Sequence, residues 1–221
     1  MDSVEIVAGG GAALAELDGD VRGARFLLAL THGAGGGIGS PDLLAVRDAA
    51  LDLGALVARV VQPYRVRGAR APGSAVRQDE AWAEIITALR RVAPRVPVVQ
   101  GGRSNGARVT CRTAAGVGAA AVVALAFPLH PPGDRGKSRA DELLQARDAG
   151  IPVLVINGER DPFGVPDKKY ADRLAVIPGE THALKGRASV IRAVVTQWLP
   201  TALGLPTAPG QTAAPGQAAE I

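Results

Sequence analysis

Short, continuously apolar runs recur along this chain, and each is followed by a segment of helical period. The runs occupy residues 26–30, 55–61, 96–100, 120–127, 152–156 and 174–177. A strand with one wet face alternates apolar and polar residues, whereas a strand covered on both faces need not. Residues 43–53, 76–92, 140–149 and 187–199 carry amphipathic helical patterns, with further helices expected from Ser104 to about residue 115 and over 166–172. Ser40-Pro41-Asp42 supplies a helix start for the first of them. Strands alternating with helices in this way specify an α/β architecture: a mostly parallel sheet with helices on both faces. Residues 4–7 and 13–17 are expected to form an antiparallel hairpin at one edge, and residues 65–75, rich in Arg, Gly and Pro, a loop.

The 221 residues suit one domain over residues 1–200. From Pro200 the chain turns to Ala, Pro, Gly, Thr and Gln without periodicity, so residues 201–221 are expected to be a disordered tail. Apolar residues make up 47% of the chain but aromatics only 3%, which leaves Val, Leu, Ile and Ala to build the core. The 25 basic and 21 acidic residues leave a net charge of +4. The arginines are spread along the chain without a basic block or interleaved aromatics, so no nucleic-acid partner is expected. Cys111 stands alone, which excludes an internal disulfide and argues against a cysteine-based zinc site. Met1-Asp2-Ser3-Val4-Glu5 lacks the basic-then-apolar plan of a signal peptide. No apolar run approaches the roughly 18 residues that cross a bilayer. The expectation is a cytoplasmic protein without membrane contact.

Chemistry concentrates at Gly102-Arg103-Ser104-Asn105-Gly106, a Gly-x-Ser-x-Gly motif between the 96–100 strand and a helix. A strand-to-helix turn sharp enough to lift a serine Oγ out of a sheet strains the backbone at Ser, and small residues two before and two after relieve the crowding. A glycine-rich turn with an ordinary capping serine is the plainer alternative. A serine hydroxyl is a poor nucleophile without an adjacent base. In α/β-hydrolases the partners follow the serine in the order acid, then histidine. Of the chain's His residues only His182 follows a candidate acid; His32 and His130 come too early. Asp161, just beyond the 152–156 strand, is the favoured acid, with Asp134 the runner-up and Asp167 third. The oxyanion of an acyl-transfer intermediate needs two N–H donors. Asn105, next to the nucleophile, and Ala34, in the glycine-rich segment 33–37, are the candidates for the oxyanion hole, with His32 bonding that loop. The same segment lacks the Gly-x-Gly-x-x-Gly order and the Gly-Lys-Ser/Thr of phosphate loops.

Four segments together resemble the α/β-hydrolase superfamily, and more narrowly its small capless branch related to dienelactone hydrolase. They are Thr31-His32-Gly33-Ala34-Gly35, Gly101-Gly102-Arg103-Ser104, Pro128-Leu129-His130-Pro131-Pro132-Gly133 and Gly158-Glu159-Arg160-Asp161-Pro162-Phe163-Gly164. The resemblance covers about residues 25–199. It implies an α/β-hydrolase fold without a cap domain and a serine hydrolase acting on an ester, thioester or similar small acyl substrate, with no metal or organic cofactor. Dienelactone hydrolases proper use a cysteine nucleophile, so their substrate does not carry over to Ser104. Tyr64, Arg65, Arg67, Arg70 and His130 are expected to rim a shallow site, where Arg103 and the arginines of the 65–70 loop either attract an acidic acyl group or are simply solvated. Cys111, Trp82 and Trp198 read as core packing. A non-catalytic scaffold of the same fold is the competing reading, because fold alone does not fix function; a nucleotide-binding protein using segment 33–37 is a third.

Overall fold

The apolar runs become the inner strands of one eight-stranded sheet. The computed structural model describes residues 2–206. The strands are β1 (Asp2–Ala8), β2 (Gly11–Asp18), β3 (Phe26–Thr31), β4 (Ala55–Val61), β5 (Val98–Arg103), β6 (Ala121–Leu125), β7 (Val153–Gly158) and β8 (Arg173–Ile177). Their order across the sheet is β1-β2-β4-β3-β5-β6-β7-β8. The hairpin β1–β2 joins β4 antiparallel, and every pair from β4 to β8 is parallel. This is the mostly parallel sheet that the sequence specifies, with the hairpin at the expected edge.

Both faces are covered by α1 (Pro41–Asp52), α2 (Pro63–Val66), α3 (Ala75–Val92), α4 (Asn105–Thr113), α5 (Ala140–Asp148) and α6 (Ala188–Ala202). Strand β3 shows why its run has no polar break. Phe26, Leu28 and Leu30 pack with α1 and α6, while Leu27 and Ala29 pack with α3, because successive side chains leave a strand on opposite faces. A third cluster joins α4 and α5 to β6 and β7 and contains the fully buried Cys111. Trp82 and Trp198 fill the α3 and α6 layers on opposite faces, as their spacing implies. Arg59 of β4 is buried yet paired, to Asp18 at 2.8 Å and Glu16 at 2.7 Å, which pins the hairpin to the sheet.

Four local readings differ from the structure. The loop over 65–75 begins inside the one-turn helix α2, and the helix expected over 166–172 is a single 3-10 turn at Lys168–Tyr170. Residues 101–103, read as part of a turn, continue β5 and pair with β6, so the turn is compressed onto Ser104 alone. The tail is expected from residue 201, but α6 runs through Pro200 to Ala202, and Leu203 and Leu205 pack on the core. The tail from residue 207 onward lies outside the described residues.

Along the carboxyl ends of the parallel strands nothing among the described residues folds into a cap. No helix among the described residues is long and apolar enough to cross a membrane.

Leu28 is fully buried at the centre of the sheet. Leu28→Ala is expected to lower the unfolding free energy by about 2–5 kcal/mol in urea titrations. Val176→Ala, on the exposed edge strand, should stay within about 0.5 kcal/mol.

Candidate active site

The carboxyl ends of β3, β5 and β7 and the loop after β8 bring the expected site residues together. At the end of β5 the Ser104 N–H still bonds the Leu125 carbonyl (2.9 Å), and the Arg108 N–H already bonds the Ser104 carbonyl (3.2 Å). Ser104 therefore closes the strand and opens α4 in one residue. It does so at φ 54°, ψ −113°, a conformation that costs a non-glycine residue on the order of 1–3 kcal/mol. The two motif glycines make the bend possible. A Cβ on Gly102 would lie 2.5 Å from the Gly106 carbonyl carbon, and one on Gly106 would lie 2.7 Å from the His32 oxygen.

His182 Nε2 stands 2.9 Å from Ser104 Oγ, and His182 Nδ1 stands 2.8 Å from Asp161 Oδ2. With Nδ1–H donating to the carboxylate, Nε2 is left to accept the Ser104 hydroxyl proton. The Asp161 carboxylate is fully buried. It is held by the Phe163 N–H on Oδ1 (2.9 Å) and by Asn157 Nδ2 on Oδ2 (3.3 Å). Asn157 also accepts from the Phe127 N–H and donates to the Phe127 carbonyl, tying β7 to the end of β6. The Phe163 ring stands edge-on to the imidazole, with centroids 4.5 Å apart. The alternative acids lie elsewhere: Asp134 accepts from Gly136 and pairs with Lys137, and Asp167 caps the 3-10 turn.

Asn105 begins α4, and Ala34 sits in a turn closed by Gly36 N–H on the Gly33 carbonyl (3.1 Å). A Cβ on Gly33 would meet Ser104 Cβ at 3.2 Å, which sets this turn directly against the nucleophile candidate. The turn rests on a buried polar network. His32 Nδ1–H donates to the Gly33 carbonyl (2.8 Å), and its Nε2 accepts the Gln62 N–H (3.1 Å). Gln62 donates to Thr31 Oγ1 and accepts from Gln78. Burial holds the His32 imidazole below its ordinary value; the Gly33 carbonyl opposes this, and Arg65 adds a smaller push in the same direction as burial.

The residues expected to bind substrate are placed differently. Arg103 is held by two partners: Nε forms an ion pair with Asp42 Oδ2 at 2.8 Å and Nη2 donates to the His182 carbonyl at 2.7 Å. The ion pair and the main-chain bond commit two of its three nitrogens to the protein itself. Tyr64 is buried and donates to the Ala34 carbonyl (3.4 Å), and burial pushes its hydroxyl up to about 12. Arg65 bonds the Ala69 carbonyl of its own loop. His130 bonds the Lys137 carbonyl through Nδ1, and its N–H bonds the Phe163 carbonyl. Arg67 lines a cleft of about 520 Å³ between the β1–β2 turn and α3, together with Tyr64, Trp82 and Glu84; neither Ser104 nor His182 borders it. Among the described residues no group of three or more His, Cys, Asp or Glu side chains is placed to hold a metal.

Residues 24–186 match the model of an alpha/beta hydrolase domain. The chain belongs to the α/β-hydrolase family. No curated protein matches it. Solved structures similar to this hydrolase include Est1E from Butyrivibrio proteoclasticus with ferulic acid bound, at 16% identity and TM-score 0.74, covering 91% of this chain and 99% of that one. A lidless α/β serine hydrolase from Xanthomonas campestris is 18% identical with TM-score 0.70, covering 94% and 96%. A dienelactone hydrolase from Anabaena variabilis is 18% identical with TM-score 0.71, covering 90% and 96%. At these identities the likeness speaks for the fold alone.

Sequence reasoning missed Asp42, Gln62 and Asn157. For Asn157 the available signal was a polar residue at the end of a wholly apolar run, Val153-Leu154-Val155-Ile156-Asn157; Asp42, in a helix, and Gln62, after a strand that contains Arg59, carry no such signal.

His32 binds fewer protons folded than unfolded between its depressed value and 6.5. Its stabilising contribution is therefore complete above about pH 6.5 and lost as pH falls below it. The hydrolase is expected to lose thermal stability on acidification through that window. His32→Gln should flatten this part of the dependence, measured by thermal melts from pH 4.5 to 8. Asn157→Ala should lower turnover by about tenfold or more by loosening Asp161, with circular dichroism unchanged.

Proposed function

We propose that this hydrolase is a serine hydrolase cleaving an ester, thioester or similarly activated acyl bond of a small molecule through an acyl-enzyme. The observation that carries the reading is the unbroken chain from Ser104 Oγ to His182 to Asp161, set on a strained strand-to-helix bend.

Ser104 Oγ attacks the acyl carbon while its proton passes to His182 Nε2. The imidazolium so formed donates through Nδ1 to Asp161, whose buried carboxylate stabilises the charge without taking the proton. The carbonyl oxygen becomes an oxyanion, which the backbone N–H groups of Asn105 and Ala34 receive, Asn105 adding the positive end of α4. His182 then gives its proton to the leaving oxygen or sulfur, and the C–O or C–S bond breaks. In the second half a water loses a proton to Nε2, attacks the acyl-enzyme, and releases the acid as Ser104 recovers its proton. No step calls on a cofactor.

The ferulic acid bound by Est1E supports a carboxylic ester as the first substrate class to assay. The ion pair between Arg103 and the buried Asp42 carboxylate argues against Arg103 as the reader of an acidic acyl group.

A fluorophosphonate probe is expected to label Ser104, mapped by mass spectrometry of the modified peptide. A folded protein that resists labelling would favour the scaffold reading. On whichever p-nitrophenyl ester is turned over, Ser104→Ala should reduce kcat by roughly 10⁴–10⁶, and a loss below tenfold would exclude a nucleophilic role.

A further inference from the structure

Three loops of the site meet at one guanidinium. Arg103 precedes the nucleophile candidate in the chain. Its Nε pairs with Asp42 on the first turn of α1, directly after the loop that carries Ala34, and its Nη2 holds the main-chain carbonyl of His182. A methyl built on Gly33 would stand 3.5 Å from its Nη1. Asp42 is fully buried and accepts the Leu43 N–H on its other oxygen, so the carboxylate is fixed before Arg103 reaches it.

We infer that Arg103, braced by Asp42, is a positioning residue that fixes His182 against Ser104; this rests on the serine-hydrolase reading above. His182 belongs to the segment between β8 and α6, which has no regular secondary structure. Other bonds of that segment run from Gly179 to Glu159 and Arg160, from Glu180 to Ile177, Arg160 and Gly186, and from Thr181 to Ala183 and Leu184. The bond from Arg103 is the one that ties the backbone of His182 itself to the nucleophile strand. Proton transfer over 2.9 Å is sensitive to displacement: a shift of about 1 Å costs on the order of 10² in rate.

The choice of residue follows from charge. A lone guanidinium beside the imidazole would oppose the imidazolium that forms during acyl transfer. Asp42 cancels that charge locally, so the pair supplies rigidity without an electrostatic penalty. The imidazole bonds Asp161 and Ser104 and meets the Phe163 ring, while the guanidinium on its main-chain carbonyl is paired with Asp42. Arginine suits the position because its planar fork reaches two acceptors from one group, which a lysine ammonium does less rigidly.

The test compares wild type, Arg103→Met, Arg103→Lys and the double variant Asp42→Asn/Arg103→Met. The double variant guards against misfolding caused by an unpaired buried carboxylate. Two readouts apply: kcat and KM on p-nitrophenyl acetate, and the low-field proton NMR resonance of the His182 Nδ1–H, which needs no turnover. Arg103→Met and the double variant are expected to lose on the order of 10² in kcat with KM within threefold, and to broaden or lose the resonance through exchange with water. Arg103→Lys should recover part of both. A wild-type kcat and an intact resonance in Arg103→Met would overturn the inference, as would a rise confined to KM, which would make Arg103 a substrate-binding group. A wild type that holds the resonance but neither turns over nor takes the fluorophosphonate label, with the resonance lost in Arg103→Met, would sink the serine-hydrolase reading and leave the strut standing.

Discussion

The bend at Ser104 governs the arrangement of everything around it. Strand β5 pairs with β6 up to Arg103, and α4 starts at Asn105, so a single residue must reverse the backbone. That residue adopts a positive φ only because no side chain stands at 102 or 106. The same absence lets α4 press against the end of β5 and the segment at His32. The bend thus fixes three things at once: the height of the hydroxyl, the head of α4 and the approach of the Gly33–Ala34 turn. Salt bridges hold α4 from its far side, with Arg112 on Asp79 of α3 and Arg108 on Glu142 of α5. The strain at one residue is spread over a helix anchored along its length.

Around the bend most buried polar groups are joined in pairs or networks, the Asn105 amide and the Ser40 hydroxyl being exceptions. Gln62, Gln78, Thr31 and His32 satisfy one another under the turn that carries Ala34, and Asn157 bridges Phe127 and Asp161. Each such group would cost stability if left alone in an apolar interior, and each is repaid by directing a backbone segment. The layers farther from the carboxyl edge are almost entirely aliphatic. The division is physical: aliphatic packing supplies cohesion, while hydrogen bonds with fixed directions set loop positions.

Much of this was legible in the sequence. The strand runs and helical periods give the sheet because burial on both faces leaves an unbroken apolar record. Ser104, Asp161 and His182 could be named because the motif, the chain order and the scarcity of histidine leave few alternatives, and the structure brings the three within hydrogen-bonding reach. The surroundings were less legible. Arg103 reads as a free cation because sequence does not reveal that Asp42, far away in the chain, is buried beneath it. Tyr64 and His130 read as rim residues because their loops are polar, yet their partners are main-chain carbonyls, which leave no trace in side-chain identity. The helix through Pro200 was hidden by the proline, whose missing N–H costs little where the preceding turns are already anchored by Trp198 and Leu199.

The two tryptophans sit in separate layers, one on each side of the sheet, and the Trp82 indole N–H bonds the Gln100 side chain three residues before Arg103. With so few other aromatic rings in the chain, the near-ultraviolet emission of the protein divides cleanly between two reporters. One is coupled to the strand that delivers the nucleophile candidate, and the other senses only the opposite layer. Substituting either in turn gives each sheet face its own optical signal, so loosening of the elbow can be followed separately from melting of the domain.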